Sequence, residues 1–316
     1  MQLPNNIVLA NGALNDSVIL KREILYKGMN GRFVERFYLN PDTSYIFKPL
    51  TNNGQLGKEV WVYEHILPHF PVIFPKMISY SIHDCTERNW MIFEDLGPLS
   101  HDFNEEIVMR VIKWVAWWHS LPVENLGNVP LTGLKPKIEN VISEVSIKQE
   151  GVYRILSSLN MERELIDRIF SELSLWPFSE RKVLSHGDLH TGNFAMAGNE
   201  LKILDWEHTH LNSPYWDLYH LIDMSHPLFP KKMTSSMRER ILETYLNQVS
   251  FEEDRARFFK EYYLVASVFS IWMILLIQKD LVENGGKWST FQLNTQLAET
   301  AASLQQCAAA LRKQPL

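Results

Sequence analysis

The feature that most constrains this chain is a change of local pattern at Leu96-Gly97-Pro98. Before it, β-branched and aromatic residues gather in short runs at Ser17 to Lys27, Phe33 to Leu39, Ser44 to Leu50 and Asn89 to Glu94. Gly28-Met29-Asn30-Gly31 separates the first two runs and Asn40-Pro41-Asp42 the next two, which predicts a meander of strands. Between the third and fourth runs, Gly57 to Leu67 carries Val60, Tyr63 and Leu67 on one stripe and stops at Pro68, the pattern of one helix. After Pro98 the apolar spacing turns helical: Val108 to Ser120, two helices within Ile138 to Leu173, then Ser235 to Val249, Glu252 to Glu283 and Thr290 to Arg312. A small β island, Val183 to Trp206, interrupts them. The expected class is α+β and bilobal, with a β-rich lobe over residues 1–97 including the connector and a mostly helical lobe over residues 98–316.

Length and composition agree with that plan. A chain of 316 residues exceeds one ordinary core, and 46% hydrophobic residues are enough to rule out global disorder. The net charge of -6 argues against nucleic acid or an anionic membrane as partner and tolerates a cationic or neutral small molecule. Cys85 and Cys307 are far apart and form no C-x-x-C pair, which excludes a disulfide framework or thiolate zinc site and fits a reducing, cytoplasmic setting. No secretory pattern is expected over Met1 to Gly12. The longest apolar run, Tyr262 to Ile277, is shorter than the roughly 20 residues of a membrane span and reads as a core helix.

The densest polar cluster is Ser185-His186-Gly187-Asp188-Leu189-His190-Thr191-Gly192-Asn193, followed by Leu201-Lys202-Ile203-Leu204-Asp205-Trp206-Glu207. Phe194 to Met196 and Leu201 to Leu204 read as two strands joined by the turn Ala197-Gly198-Asn199-Glu200. Folding about Asn199 makes Asn193 and Asp205 cross-strand neighbours, on the order of 5 Å apart, with Asp188 in the preceding loop. An amide oxygen facing a carboxylate, with a second carboxylate near, suits a hard cation such as Mg2+ that also holds phosphate oxygens. The spacing from Asp188 to Asn193 is that of a kinase catalytic loop, in which the Asp takes a hydroxyl proton while the Asn and a later Asp hold the metal.

On these two strings, H-G-D-L-H-T-G-N at His186 to Asn193 and I-L-D-W-E at Ile203 to Glu207, the chain resembles the aminoglycoside phosphotransferase and choline kinase family, small-molecule kinases of protein-kinase-like fold. The resemblance implies ATP and Mg2+ as cofactors, Asp188 as catalytic base, Asn193 and Asp205 as metal ligands, and His186 as the residue that shapes the loop. It also demands a strand lysine paired with a helical glutamate. Lys48, at the end of the third strand, and Glu59, opening the next helix, meet that demand, with Glu64 as the competing partner. Gly28 and Gly31 occupy the place of the phosphate-covering loop without its G-x-G-x-x-G pattern, and the backbone around Glu94 and Leu96 would hold the adenine.

Two departures point away from protein substrates: Trp206-Glu207 follows Asp205 in place of Phe-Gly, and no Ala-Pro-Glu segment follows. A small-molecule hydroxyl acceptor is expected, with Glu207, Asp217, Trp206 and Tyr215 as candidates to meet a cationic or amine-bearing one. Asp217 has a second reading, as a brace for the catalytic loop. Trp114, Trp117 and Trp118 recur at helical spacing and read as packing. The competing functions are a catalytically silent nucleotide- or ligand-binding relative, and a zinc hydrolase built on His186, Asp188, His190, His208 and His210. The acceptor's identity, ATP against GTP, and the oligomeric state are left open by the sequence.

Overall fold

The structure is a computed structural model, and it describes residues 3–28, 31–50, 57–126, 129, 136–283 and 287–313. The chain divides into two compact units, one of Met1–Ser100 with Ala195–His208 and one of His101–Phe194 with Thr209–Leu316. The hairpin beyond residue 194 thus groups with the strand-rich N-terminal residues, although it lies far past Gly97 in sequence.

In the first unit, β1 (Lys21–Lys27), β2 (Phe33–Asn40), β3 (Thr43–Pro49), β4 (Met77–Ser81) and β5 (Trp90–Glu94) form one antiparallel sheet in the order β1-β2-β3-β5-β4. Strand alternation puts Phe37, Phe47 and Ile92 on one face, where Ile7 and Leu14 of the N-terminal segment close a buried cluster over them. β1 starts four positions later than the run of strand-forming residues suggests. The reason is Asn15, whose Oδ1 accepts from the Ser17 backbone N–H and hydroxyl and turns the chain there instead. The unexpected strand of this sheet is β4, a half-exposed edge strand whose apolar residues Ile78 and Tyr80 lie on its more exposed face. Helix α1 (Lys58–His65) follows Gly57, whose φ of 77° is left-handed, and carries Glu59 in its first turn.

The first unit also holds the sheet β6-β8-β9, of β6 (Leu99–Ser100), β8 (Phe194–Ala197) and β9 (Glu200–Ile203). The Ile203 N–H bonds to the Ile73 carbonyl at 2.6 Å and Lys202 Nζ to the Val72 carbonyl at 3.1 Å, so β9 is tied to the segment before β4.

The second unit is helical: α2 (Glu105–His119), α3 (Ile138–Ile147), α4 (Gln149–Ser158), α5 (Arg163–Leu175), α6 (Pro214–Ile222), α7 (Ser235–Leu246), α8 (Arg255–Glu283) and α9 (Thr290–Lys313). β7 (Val183–Ser185) and β10 (His210–Asn212) pair antiparallel beside them. Three helices, not two, fill residues 138–175, because the chain leaves helical geometry at Lys148 and again at Leu159 and Asn160, the latter with φ of 57°. α8 is long and apolar enough by length and composition to cross a membrane, yet Phe258 to Ile271 are buried throughout, with α3, α6 and α9 packed against the helix.

Candidate active site

The motif loop of the second unit starts where β7 ends, at Ser185, and its shape is set by a carboxylate it does not contain. Asp217, in the first turn of α6, accepts from Ser185 Oγ at 2.7 Å, the His186 N–H at 2.8 Å and the Gly187 N–H at 3.0 Å. From α2, His119 Nε2 at 3.2 Å and Trp118 Nε1 at 3.4 Å reach the same carboxylate. Trp216 Nε1 donates to the Gly187 carbonyl at 2.9 Å. Burial opposes ionisation of Asp217, but the bonds from His119 and Ser185 and the fields of His119 and His186 outweigh it and hold its carboxyl well below the usual range.

Within that brace the Asp188 backbone is pinned. Its carbonyl accepts from the His190 N–H at 2.9 Å and from Asn193 Nδ2 at 2.8 Å, while its N–H points to His186 Nδ1 at 3.3 Å. The Asp188 carboxylate keeps some exposure, with His220 Nε2 at 3.9 Å and His190 Nε2 at 4.0 Å. Asn193 ends the one-turn helix Thr191–Asn193 immediately before β8.

Three expectations about substrate contact need correction. Asp217 and Trp206 have no exposed surface, and Tyr215 keeps only 2% of its own. Asp217 is a brace, Tyr215 packs its ring on Phe258 at 5.4 Å, and Trp206 is a wedge in the first unit. None can meet a substrate, because the surface such contact needs is already buried in the fold.

In the first unit, Lys48 projects from β3 with its Nζ 2.7 Å from Glu59 Oε2 and 2.7 Å from Asp205 Oδ1. Glu64 turns elsewhere and accepts from the Tyr80 hydroxyl at 2.6 Å. Burial pushes the Lys48 ammonium down, but Asp205 and Glu59 outweigh it and raise it well above its ordinary range. Burial pushes Glu59 up to about 7, with Asp205 and Glu207 acting in the same direction and Lys48 against them. Carboxylate oxygens of Glu59, Asp205 and Glu207 lie within 4.8 Å of one another. Three carboxylates around one ammonium leave surplus negative charge, an all-oxygen donor set that fits a hard divalent cation and lacks the imidazole or thiolate that zinc favours. Glu207, which the sequence suggests as a substrate contact, therefore groups with the charged cluster. The turn is unusual in backbone as well: Asp205 has φ of 61°, and Trp206 Nε1 bonds to the Ile203 carbonyl at 3.2 Å while its ring meets Phe70 edge-on at 5.4 Å.

The remaining expected residues serve local structure. Glu94 accepts from the Lys76 N–H at 2.7 Å and returns its own N–H to the Lys76 carbonyl at 3.0 Å. Asp95, just before Leu96, binds Arg36, the Ser44 hydroxyl at 2.7 Å and the Gly97 N–H at 2.9 Å. Gly28 donates to the Arg32 carbonyl and Gly31 to the Gly28 carbonyl, while Met29 and Asn30 between them lie outside the described residues. Sequence reasoning placed Ser185 in the polar cluster without a role, read Trp118 as packing and missed His119. Ser185 had a signal, its place next to His186; the α2 pair had none, since His119 stands 98 positions from Asp217.

A sequence model described as "Phosphotransferase enzyme family" matches residues 86–259. Among solved structures, a putative aminoglycoside phosphotransferase from Ralstonia eutropha is similar with a TM-score of 0.64 and 13% identity, over 94% of this chain and 93% of that one. A choline kinase from Cryptosporidium parvum Iowa II is similar with a TM-score of 0.54 and 16% identity, over 97% and 94%. A spectinomycin phosphotransferase solved with ADP and spectinomycin follows at 0.55 and 14%, over 91% and 94%. At these identities the likeness establishes the fold, a protein-kinase-like α+β plan. No curated protein matches the sequence.

Proposed function

The chain belongs to the phosphotransferase enzyme family, and from that premise we propose that it moves the γ-phosphoryl group of ATP, taken with Mg2+, to a hydroxyl of a small molecule. That it is a phosphotransferase acting on a small-molecule hydroxyl follows from the family. The nucleotide, the metal and the residue roles are the proposal. The observation that carries it is Lys48, held at 2.7 Å from both Glu59 and Asp205 within a three-carboxylate cluster.

In this reading Glu59 positions Lys48, and the ammonium faces the α- and β-phosphates. Asp205 offers a carboxylate to the metal. Asn193 offers its amide oxygen, its Nδ2 being already committed to the Asp188 carbonyl. Mg2+, when bound, neutralises charge on the phosphate oxygens. Asp188 would accept the proton of the acceptor hydroxyl as that oxygen bonds to the γ-phosphorus and the bond from phosphorus to the β–γ bridging oxygen breaks, releasing ADP, and the pinned backbone keeps the carboxylate oriented without reorganisation. Similar phosphotransferases solved with ADP and with GDP support a purine nucleotide as the donor, and ATP is our choice between the two.

Release of ADP measured over a panel of hydroxyl acceptors tests the reading. Asp188→Asn is expected to bind Mg-ATP close to the parent while transfer falls by orders of magnitude, and Asp205→Ala is expected to weaken Mg-ATP binding. A fully active Asp188→Asn protein would remove that residue from the mechanism.

A further inference from the structure

The first unit carries an irregularity in β1. Its pairing with β2 runs in register from Lys21 opposite Tyr38 to Ile24 opposite Glu35 and then slips, so that Tyr26 stands opposite Val34. In unbroken register Leu25 would hold that position. Leu25 and Tyr26 are both exposed, at 43% and 52%, so core packing does not decide which of them faces Val34. Residues directly opposed in an antiparallel sheet project to the same face. The pairing of Glu35 with Phe47 carries on to Val34 opposite Lys48, so Tyr26, the buried Val34 and Lys48 form one row across β1, β2 and β3. Phe37 and Phe47 belong to the other face, against Ile7 and Leu14. The bulge therefore brings a phenol, in place of an alkyl chain, onto the face that bears Lys48.

Two strand spacings, roughly 10 Å, separate the Tyr26 and Lys48 backbones, a gap that both long side chains can span towards one ligand. The charges around Lys48 also act on the Tyr26 hydroxyl. Burial of that hydroxyl pushes it up to about 12, with Lys48 opposing the rise and Asp205, Glu59 and Glu207 adding to it. Half of the residue is open, yet its hydroxyl end lies inward, in the field of the whole cluster. The hydroxyl keeps its proton at neutral pH and has no hydrogen-bond partner among the described residues. A phenol O–H donates well to an anionic oxygen and adds no charge of its own. Tyr26 also stands two positions before Gly28, where the loop lacks the G-x-G-x-x-G pattern, so a side-chain donor supplements a glycine-poor cover.

We propose that Tyr26 is a nucleotide-binding residue, aimed by the β1 bulge, whose hydroxyl donates to a phosphate oxygen of the nucleotide that Lys48 holds. The proposal rests on the reading of Lys48 as a phosphate contact. It gives the unit a second phosphate donor, from the edge strand, that favours a phosphorylated nucleotide over the bare nucleoside.

Equilibrium titration of the full chain with ATP, ADP and adenosine in the presence of Mg2+ is the test. Tyr26→Phe removes the oxygen alone and should weaken ATP and ADP binding roughly tenfold while leaving adenosine close to the parent. Lys48→Met, the reference for phosphate contact, should also weaken ATP far more than adenosine. A Tyr26→Phe protein that binds ATP as tightly as the parent overturns the proposal. Equal weakening towards ATP and adenosine overturns it too, because the contact would then be with base or ribose. In both cases the Lys48→Met result leaves the reading of Lys48 standing. Lys48→Met binding ATP like the parent overturns that reading and this proposal together, as does a parent protein that binds no ATP. Should Tyr26→Phe fail to fold, nitration of Tyr26 in the parent protein, followed by mass spectrometry, decides the matter. ATP should protect the ring and adenosine should not, and a ring nitrated equally with and without ATP overturns the proposal.

Discussion

Asp217 shows how a residue governs a site without touching a ligand. Its carboxylate gathers two backbone N–H groups of the motif loop, a serine hydroxyl and two ring N–H groups, all without exposure to water. Removing one partner from such a network leaves buried donors unpaired, so Asp217→Ala is expected to cost about 3–5 kcal/mol in urea unfolding and to abolish turnover. Because its folded pKa is depressed, the contribution is complete above the unfolded carboxylate range near pH 4 and is lost only as pH falls through the lower folded value. Lys231 gives the opposite pH signature. Its Nζ is buried against the His220 and Leu221 carbonyls, and burial lowers it from 10.5 to about 7. Between those values the unfolded chain holds a proton that the folded chain has released, so this group makes stability rise with pH across the window. The stability of Lys231→Met relative to the parent should therefore be greatest near pH 6 and decline towards pH 10. Parallel stability curves for the two proteins would show that Lys231 keeps its proton in the fold.

At the scale of elements, the turn after β9 is the one where backbone and packing act together. Asp205 takes a left-handed conformation that costs a non-glycine residue on the order of 1 kcal/mol. Trp206 holds it there by burying its whole side chain against Phe70 and bonding back to Ile203. Trp206→Ala is expected to destabilise the protein by about 3–5 kcal/mol and to weaken Mg-ATP binding as Asp205 and Glu207 lose their placement, with Trp206→Phe recovering part of both. Melting curves and nucleotide titration read the two effects separately. The hairpin itself is legible in sequence because Gly198, with φ of 57°, marks its turn. The edge strand β4 does carry a strand alternation, Ile78, Tyr80 and Ile82 against Ser79 and Ser81, but it is short and its apolar side is the exposed one, so it does not mark itself as part of a core. The three-helix count over residues 138–175 is also hidden, since Lys148 and Leu159 break the helices without glycine or proline.

For the molecule as a whole, the proposed reaction couples ligand binding to global stability. Mg-ATP at a hundred times its dissociation constant should raise the unfolding free energy by about 2.7 kcal/mol. Asp188→Asn should keep that gain and Asp205→Ala should lose most of it, which thermal melting with and without Mg-ATP would show. The order of strand-rich and helix-rich segments, the two motif strings and the lysine on the third strand were all determined by sequence, because spacing along the chain is a local property. What the tertiary structure decided is which groups meet. Lys48 and Asp205 are 157 positions apart and share an ion pair, and the segment bearing Asp205 joins the first unit instead of the helices that flank it in sequence. Asp217 became a brace and Glu207 part of the charged cluster for the same reason. Burial and partnership come from packing between distant segments, and no local pattern encodes the distance at which two side chains arrive.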